Sequence, residues 1–97
     1  MDAKQPKSAV TGHVGMVLRR RREELGLSQE GLADIAGVDR TFVGRIERAR
    51  QSPTLDTLVR LAVALGTTAS EVMKEAERMV EMGHQPSAGR CSGDGRQ

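Results

Sequence analysis

Arg40, Arg45, Arg48 and Arg50 stand within one short stretch whose acids number only Glu47. A guanidinium is a planar fork that fits the O6 and N7 acceptors of guanine in the major groove, and it pairs equally well with phosphate oxygens. If the stretch is helical, Arg40, Thr41, Gly44, Arg45 and Arg48 fall at i, i+1, i+4, i+5 and i+8, a single continuous face. Most charged helix faces are merely solvated. Two small residues favour contact over solvation here. Ala33 lets a neighbouring helix cross closely, and Gly44 leaves the charged face shallow enough to approach a groove wall, although glycine costs about 1 kcal/mol relative to alanine inside a helix.

To act together these side chains need a rigid mount, and the segment from Leu27 to Arg50 supplies one as two short helices and a tight turn. Ser28 can cap the first by accepting an otherwise unpaired N–H, after which Leu32, Ala33 and Ala36 recur at helical spacing on the buried side. Gly37 stands where the chain must take a positive φ, Val38 tucks into the turn, and Asp39 caps a second helix with Val43 and Ile46 inward. Upstream, helix 1 is expected to start between Thr11 and Val14, with Gly12 and Gly15 softening that start, and to end on Gly26. Its inner stripe is Val14, Leu18 and Leu25, and Arg22 sits within it. Glu47, four residues after Val43, leans the same way. A buried lone ion costs several kcal/mol, so a structural ion pair between Arg22 and Glu47 is expected to hold the arginine-bearing helix at a fixed angle. Arg19, Arg20 and Arg21 read as solvated, one or two of them near a phosphate backbone.

Downstream, a basic loop runs from Ala49 to Pro53. Thr54 caps helix 4, with Asp56 in its first turn and Leu55, Leu58, Leu61, Ala62 and Leu65 as its apolar stripe. Thr68 and Glu71 form an S/T-x-x-E box opening helix 5. Its apolar positions Val72, Ala76, Met79 and Val80 run almost to Gly83. A domain this small has little to cover Met79, Val80 and Met82, which therefore read as a dimerisation surface.

Composition narrows the function. The chain has 97 residues, enough for one small domain with limited core and no large catalytic cleft. Its net charge is only +2, but the local basic patch matters more to a polyanion than the total. Phe42 is the single aromatic, which argues against single-strand or RNA binding, where bases stack on aromatic platforms. Cys91 is the lone cysteine, so no intrachain disulfide can form. With His13 in the helix start and His84 and Cys91 in the tail, the chain offers no catalytic constellation, no metal-ligand spacing and no cofactor motif. No apolar run approaches the roughly 20 residues of a membrane span, and the N-terminus lacks a signal-peptide core. A cytoplasmic, nucleoid-associated protein is expected. Residues 1–10 read as a flexible arm, 11–83 as the domain and 84–97 as a disordered tail.

The segments GLSQEGLA, AGVDRT, IER and SPTLDTLVRLAVALG resemble the lambda-repressor-like, or XRE, helix-turn-helix family of bacterial and phage regulators, over about Val14 to Glu71. The run VDRTFVGRIER is also similar to restriction-modification controller proteins within that family. The resemblance implies an all-α, five-helix DNA-binding domain with its helix-turn-helix at helices 2 and 3. It also implies homodimers on near-palindromic operators, and it carries Arg40, Thr41 and Arg45 to base contacts. Gln29 matches the position where the family holds a phosphate with a side-chain amide and helix N–H groups. Arg48, Arg50 and Ser52 are the remaining phosphate candidates. Phe42 reads equally as a thymine-methyl contact or as a cover for the core edge. The expected function is sequence-specific binding of double-stranded DNA and transcriptional regulation, with RNA polymerase a further partner in an activating mode. The alternative is an antitoxin or other protein-interaction module built on the same fold.

Overall fold

The computed structural model describes residues 9 to 83, so residues 1–8 of the expected arm and the whole expected tail, with His84 and Cys91, lie outside it. Five helices follow in order: α1 (Ala9–Glu24), α2 (Gln29–Ala36), α3 (Arg40–Glu47), α4 (Leu55–Ala64) and α5 (Ala69–Glu81). No strand occurs among the described residues. The long α1 packs on both α5 and α3, while α2 bridges α3 and α4, so α1 and α2 hold α3 from two sides.

Each of the helices α2 to α5 begins on a side chain that takes up an orphan N–H, as capping chemistry requires. Ser28 accepts from Gly31 N–H, Asp39 from Thr41 N–H, Thr54 from Thr57 N–H and Thr68 from Glu71 N–H. The first helix departs from expectation. It starts at Ala9, because Val10 already packs on the core and the buried His13 ring donates from Nδ1 to the Ala9 carbonyl at 2.8 Å. The glycines of this segment do not loosen it: Gly12 and Gly15 are both buried.

The core joins Val14, Val17 and Leu18 of α1 to Leu32, Ala33 and Ala36 of α2, Val43 and Ile46 of α3, Leu58, Leu61 and Ala62 of α4, and Val72 and Ala76 of α5. Two expected core residues are displaced. Leu25 follows the last turn of α1 and is 56% exposed, and Leu55, at the solvent edge of the first turn of α4, is 81% exposed. Phe42 is half-buried and packs against the core, as its core-edge reading has it.

Between α1 and α3 lies a buried ion pair. Arg22 Nε donates to Glu47 Oε2 at 2.7 Å and its Nη2 to Oε1 at 3.0 Å, a bidentate fork, while Nη1 donates to the Leu27 carbonyl at 2.7 Å. The glutamate side chain is only 2% exposed and the arginine 11%. The Arg22 pKa is raised above its ordinary value, first by hydrogen bonding to Glu47, against the opposing effect of burial, with the charges of Glu47 and Glu23 adding to the rise. With a raised folded pKa, the stabilisation is whole at every pH below the ordinary guanidinium range and drains away only as pH climbs through the folded value. Removing one partner leaves the other charged and buried, at about 3 to 5 kcal/mol. Glu47→Ala should therefore lower the stability at pH 7 by roughly 3 kcal/mol in urea denaturation; a loss below about 1 kcal/mol would show the pair to be expendable.

A second constraint sits at the end of α3. Ala49 has a φ of +60°, the position and conformation that glycine usually fills after a helix, with Ala49 N–H bonded to the Ile46 carbonyl at 3.0 Å and Arg50 N–H to the Arg45 carbonyl at 2.8 Å. A left-handed alanine costs about 1 to 2 kcal/mol, partly offset by glycine's larger unfolded-state entropy. Ala49→Gly should raise the urea midpoint by the equivalent of about 0.5 to 1 kcal/mol with an unchanged slope; a lower midpoint would overturn this reading of the strain.

Candidate nucleic-acid interface

The turn that launches α3 is short because Gly37 can do what other residues resist. Its φ is +74°, and both Gly37 N–H and Val38 N–H donate to the Ala33 carbonyl, at 2.8 and 3.0 Å, which closes α2 abruptly. Asp39 then opens α3 at once. The two helices therefore meet at a fixed angle, Val43 and Ile46 turn inward, and the opposite side of α3 is left to solvent.

On that side Arg40, Thr41, Arg45 and Arg48 are all exposed. Arg45, Arg48 and Arg50 line one open hollow of about 430 Å³, which joins the C-terminal half of the face to the following loop. Arg40 and Thr41 sit apart from that hollow, at the start of the helix, and Ser52 is exposed beyond Arg50. Among the described residues Arg40, Arg45, Arg48 and Arg50 make no ion pair with an acid.

Gly44 departs from the expected open face. It is buried, and a methyl group there would lie 3.3 Å from Arg48 Nη1 and 3.5 Å from Gln29 Oε1. The missing side chain makes room for two polar ones. Arg48 folds back along its own helix over this gap, and Gln29 reaches in from the start of α2. Gln29 is half-buried, and its Nε2 donates to Glu47 Oε1 at 3.0 Å, so the same carboxylate oxygen accepts from both Gln29 and Arg22. An amide nitrogen carries two hydrogens, and one remains for another acceptor. Sequence reasoning placed Gln29 on a phosphate and missed its bond to Glu47. Gln29 falls outside the apolar periodicity, so no spacing signal connects it to Glu47.

The arginine run of α1 is spoken for. Both Arg20 and Arg21 pair with Glu75 of α5, Arg21 at 3.2 Å, and Arg19 pairs with Glu23 one turn on at 3.0 Å. Arg20 stays 43% exposed and Arg21 30% while both pair with Glu75, a partner on the neighbouring helix that the sequence does not reveal. On α5, Met79 and Val80 are half-buried, Met79 against the core of its own protomer, and Met82 is 72% exposed.

Comparison with known proteins agrees with this geometry. The helix-turn-helix family profile matches residues 18–72, which takes in α2, the turn, α3 and α4. Control protein C.SmaI of Serratia marcescens is 43% identical over 56 residues, spanning 58% of this chain and 67% of its own length. The ImmF control region 10 kDa protein of Bacillus phage phi105 is 30% identical over 79 residues, 80% of this chain and 88% of that one. The crystal structure of the restriction-modification controller protein C.AhdI from Aeromonas hydrophila superposes with a TM-score of 0.61 at 38% identity, covering 65% of this chain and 94% of the other. The resemblance read from GLSQEGLA to SPTLDTLVRLAVALG is therefore one of common membership: the chain belongs to the helix-turn-helix (XRE-type) family of DNA-binding transcription regulators, which are not enzymes.

Proposed function

We propose that this chain is a sequence-specific, homodimeric regulator that binds a near-palindromic operator with α3 in the major groove, in the cytoplasm at the nucleoid. The observation that carries the reading is the set of outward arginines on α3 without acidic partners among the described residues, on a helix whose opposite side is locked into the core. Arg40, Thr41 and Arg45 face the base edges. Gln29, Arg48, Arg50 and Ser52 hold the backbone, Gln29 through the amide hydrogen that Glu47 leaves over. The C.SmaI and C.AhdI relatives are named as control and controller proteins, which supports regulation over a purely interacting role.

Two copies place their reading helices in successive major grooves about 34 Å apart. Met79, Val80 and Met82 are the surface proposed for that pairing, and of the three Met82 offers the most free apolar area. An activating mode brings in RNA polymerase as a further partner.

Base and phosphate contacts separate by measurement. Arg45→Ala should lose about 1 to 3 kcal/mol of discrimination at one base pair, read by selecting bound sequences from a random DNA pool. Arg50→Ala should weaken all sites alike and flatten the log–log salt dependence of affinity by about one unit. Identical base preferences for the parent and Arg45→Ala would remove Arg45 from the reading set. Selected sites without two-fold symmetry would count against the dimer.

A further inference from the structure

One contact between α1 and the proposed reading helix is not made by side chains. At Gly15 a methyl group would fall well inside the contact distance of the Ile46 carbonyl oxygen, 3.2 Å from the carbonyl carbon and 3.3 Å from Glu47 Cα. All three atoms belong to backbone, so no flexible side chain can swing aside. The Ile46 carbonyl is also fixed from its own side, as acceptor for Arg48 and Ala49 N–H in the last turn of α3. Gly15 is buried in α1 between Val14 and the Val17–Leu18 pair, all in the core. Two turns along α1, Arg22 holds Glu47, the residue after Ile46. Two successive residues of α3 are thus pinned to α1, one by a backbone contact and one by an ion pair.

We propose that Gly15 is a positioning residue of the DNA interface: the absent side chain sets how deeply α3 is seated against α1, and hence where Arg45 and Arg40 stand relative to the base edges. The inference rests on α3 being the helix that reads DNA. Any side chain at position 15 forces the two backbones apart by about 1 Å, judged from ordinary non-bonded separations. Ile46 adjoins Arg45 directly, so nearly all of that displacement reaches its guanidinium. A bidentate pairing to guanine needs two hydrogen bonds near 2.9 Å, and a shift of about 1 Å breaks at least one of them. Phosphate contacts from the loop after α3 tolerate the same shift better, because a long side chain can meet a phosphate oxygen from several directions, whereas a bidentate base contact has one geometry.

The test compares the parent, Gly15→Ala and Val72→Ala by selection from a random DNA pool, with affinity for non-specific duplex and the thermal midpoint measured alongside. Val72 is a buried residue of α5, outside both α1 and α3, so its truncation destabilises the fold without adding an atom at the α1–α3 contact. Gly15→Ala should lose about tenfold in discrimination at the base read by Arg45 while non-specific affinity and salt dependence stay within about twofold. Val72→Ala should lower the midpoint and keep the parent's base preferences. An unchanged profile in Gly15→Ala overturns the proposal, as does equal broadening in Val72→Ala, which would assign the effect to stability alone. Should Gly15→Ala alone leave too little folded protein, the comparison is made in an Ala49→Gly background against Ala49→Gly itself. A chain that stays unfolded there as well marks the contact as a requirement of folding and overturns the positioning role. A parent with no base preference defeats the DNA-reading assignment instead, and this inference with it.

Discussion

One buried carboxylate governs the arrangement. Glu47 takes both fork hydrogens of Arg22 and a third bond from Gln29, so a single side chain of α3 gathers the end of α1 and the start of α2. Arg22 extends the link by donating to the Leu27 carbonyl in the connection between those helices. An ion pair at such depth adds little net stability compared with apolar packing of equal volume, because both charges lose their water. Its effect is geometric. A bidentate fork tolerates far less variation in angle than a contact between methyl groups, and α3, with eight residues, is too short to be held by packing area alone.

The same economy explains how positive charge is distributed. The chain carries more bases than acids by only two, yet of the five described arginines that face solvent without an acidic partner, Arg40, Arg45, Arg48 and Arg50 collect around α3, and only Arg78 stands elsewhere, on the acid-rich α5. On α1, Arg19, Arg20 and Arg21 are taken up by Glu23 and Glu75. Pairing α1 with α5 in this way leaves the field of α3 and its following loop to dominate the approach of a polyanion, since exposed charges more than a Debye length apart are screened, about 8 Å at physiological salt.

Much of this was legible in the residues, for reasons that differ from element to element. Capping is local chemistry, so Ser28, Asp39, Thr54 and Thr68 could be placed from sequence, as could the turn at Gly37. The inward faces of α2 and α3 followed from periodicity. Arg22 was identifiable because it interrupts an apolar stripe, and a charge in that position demands a partner. What escaped depends on tertiary proximity. Gly12 and Gly15 weaken a helix by propensity, and nothing in the neighbours of Gly15 reveals that a carbonyl of another helix needs its space. His13 likewise looked like part of a frayed end, whereas at 1% exposure it is a core residue with its own bond to the Ala9 carbonyl. Leu25 and Leu55 went the other way, since periodicity cannot tell which apolar residue lies past the edge of the core. Neither Glu75 nor Gln29 carries a spacing signal toward its partner, so the redirection of the α1 arginines and the bond to Glu47 required the fold.

The rigidity of the mount bears on affinity as well as specificity. Each arginine fixed against a base or phosphate gives up about 1.5 to 2 kcal/mol of rotamer freedom, and several must do so together. If the helix carrying them also had to be ordered on binding, its backbone would add roughly 1 to 2 kcal/mol per residue to that loss. The pinned end of α3 confines the loss to the side chains, because its backbone is already settled by the Gly15 crossing, the Glu47 bonds and the left-handed closure at Ala49. That closure differs from the other two in its cost: an alanine in a glycine conformation sets strain beside Arg48 and Arg50, at the junction between the fixed helix and the loop proposed to meet the backbone. A site composed this way pairs a stiff reader with a more yielding phosphate clamp. Base discrimination should then depend on contacts buried far from the DNA, whereas total affinity should depend on the exposed arginines.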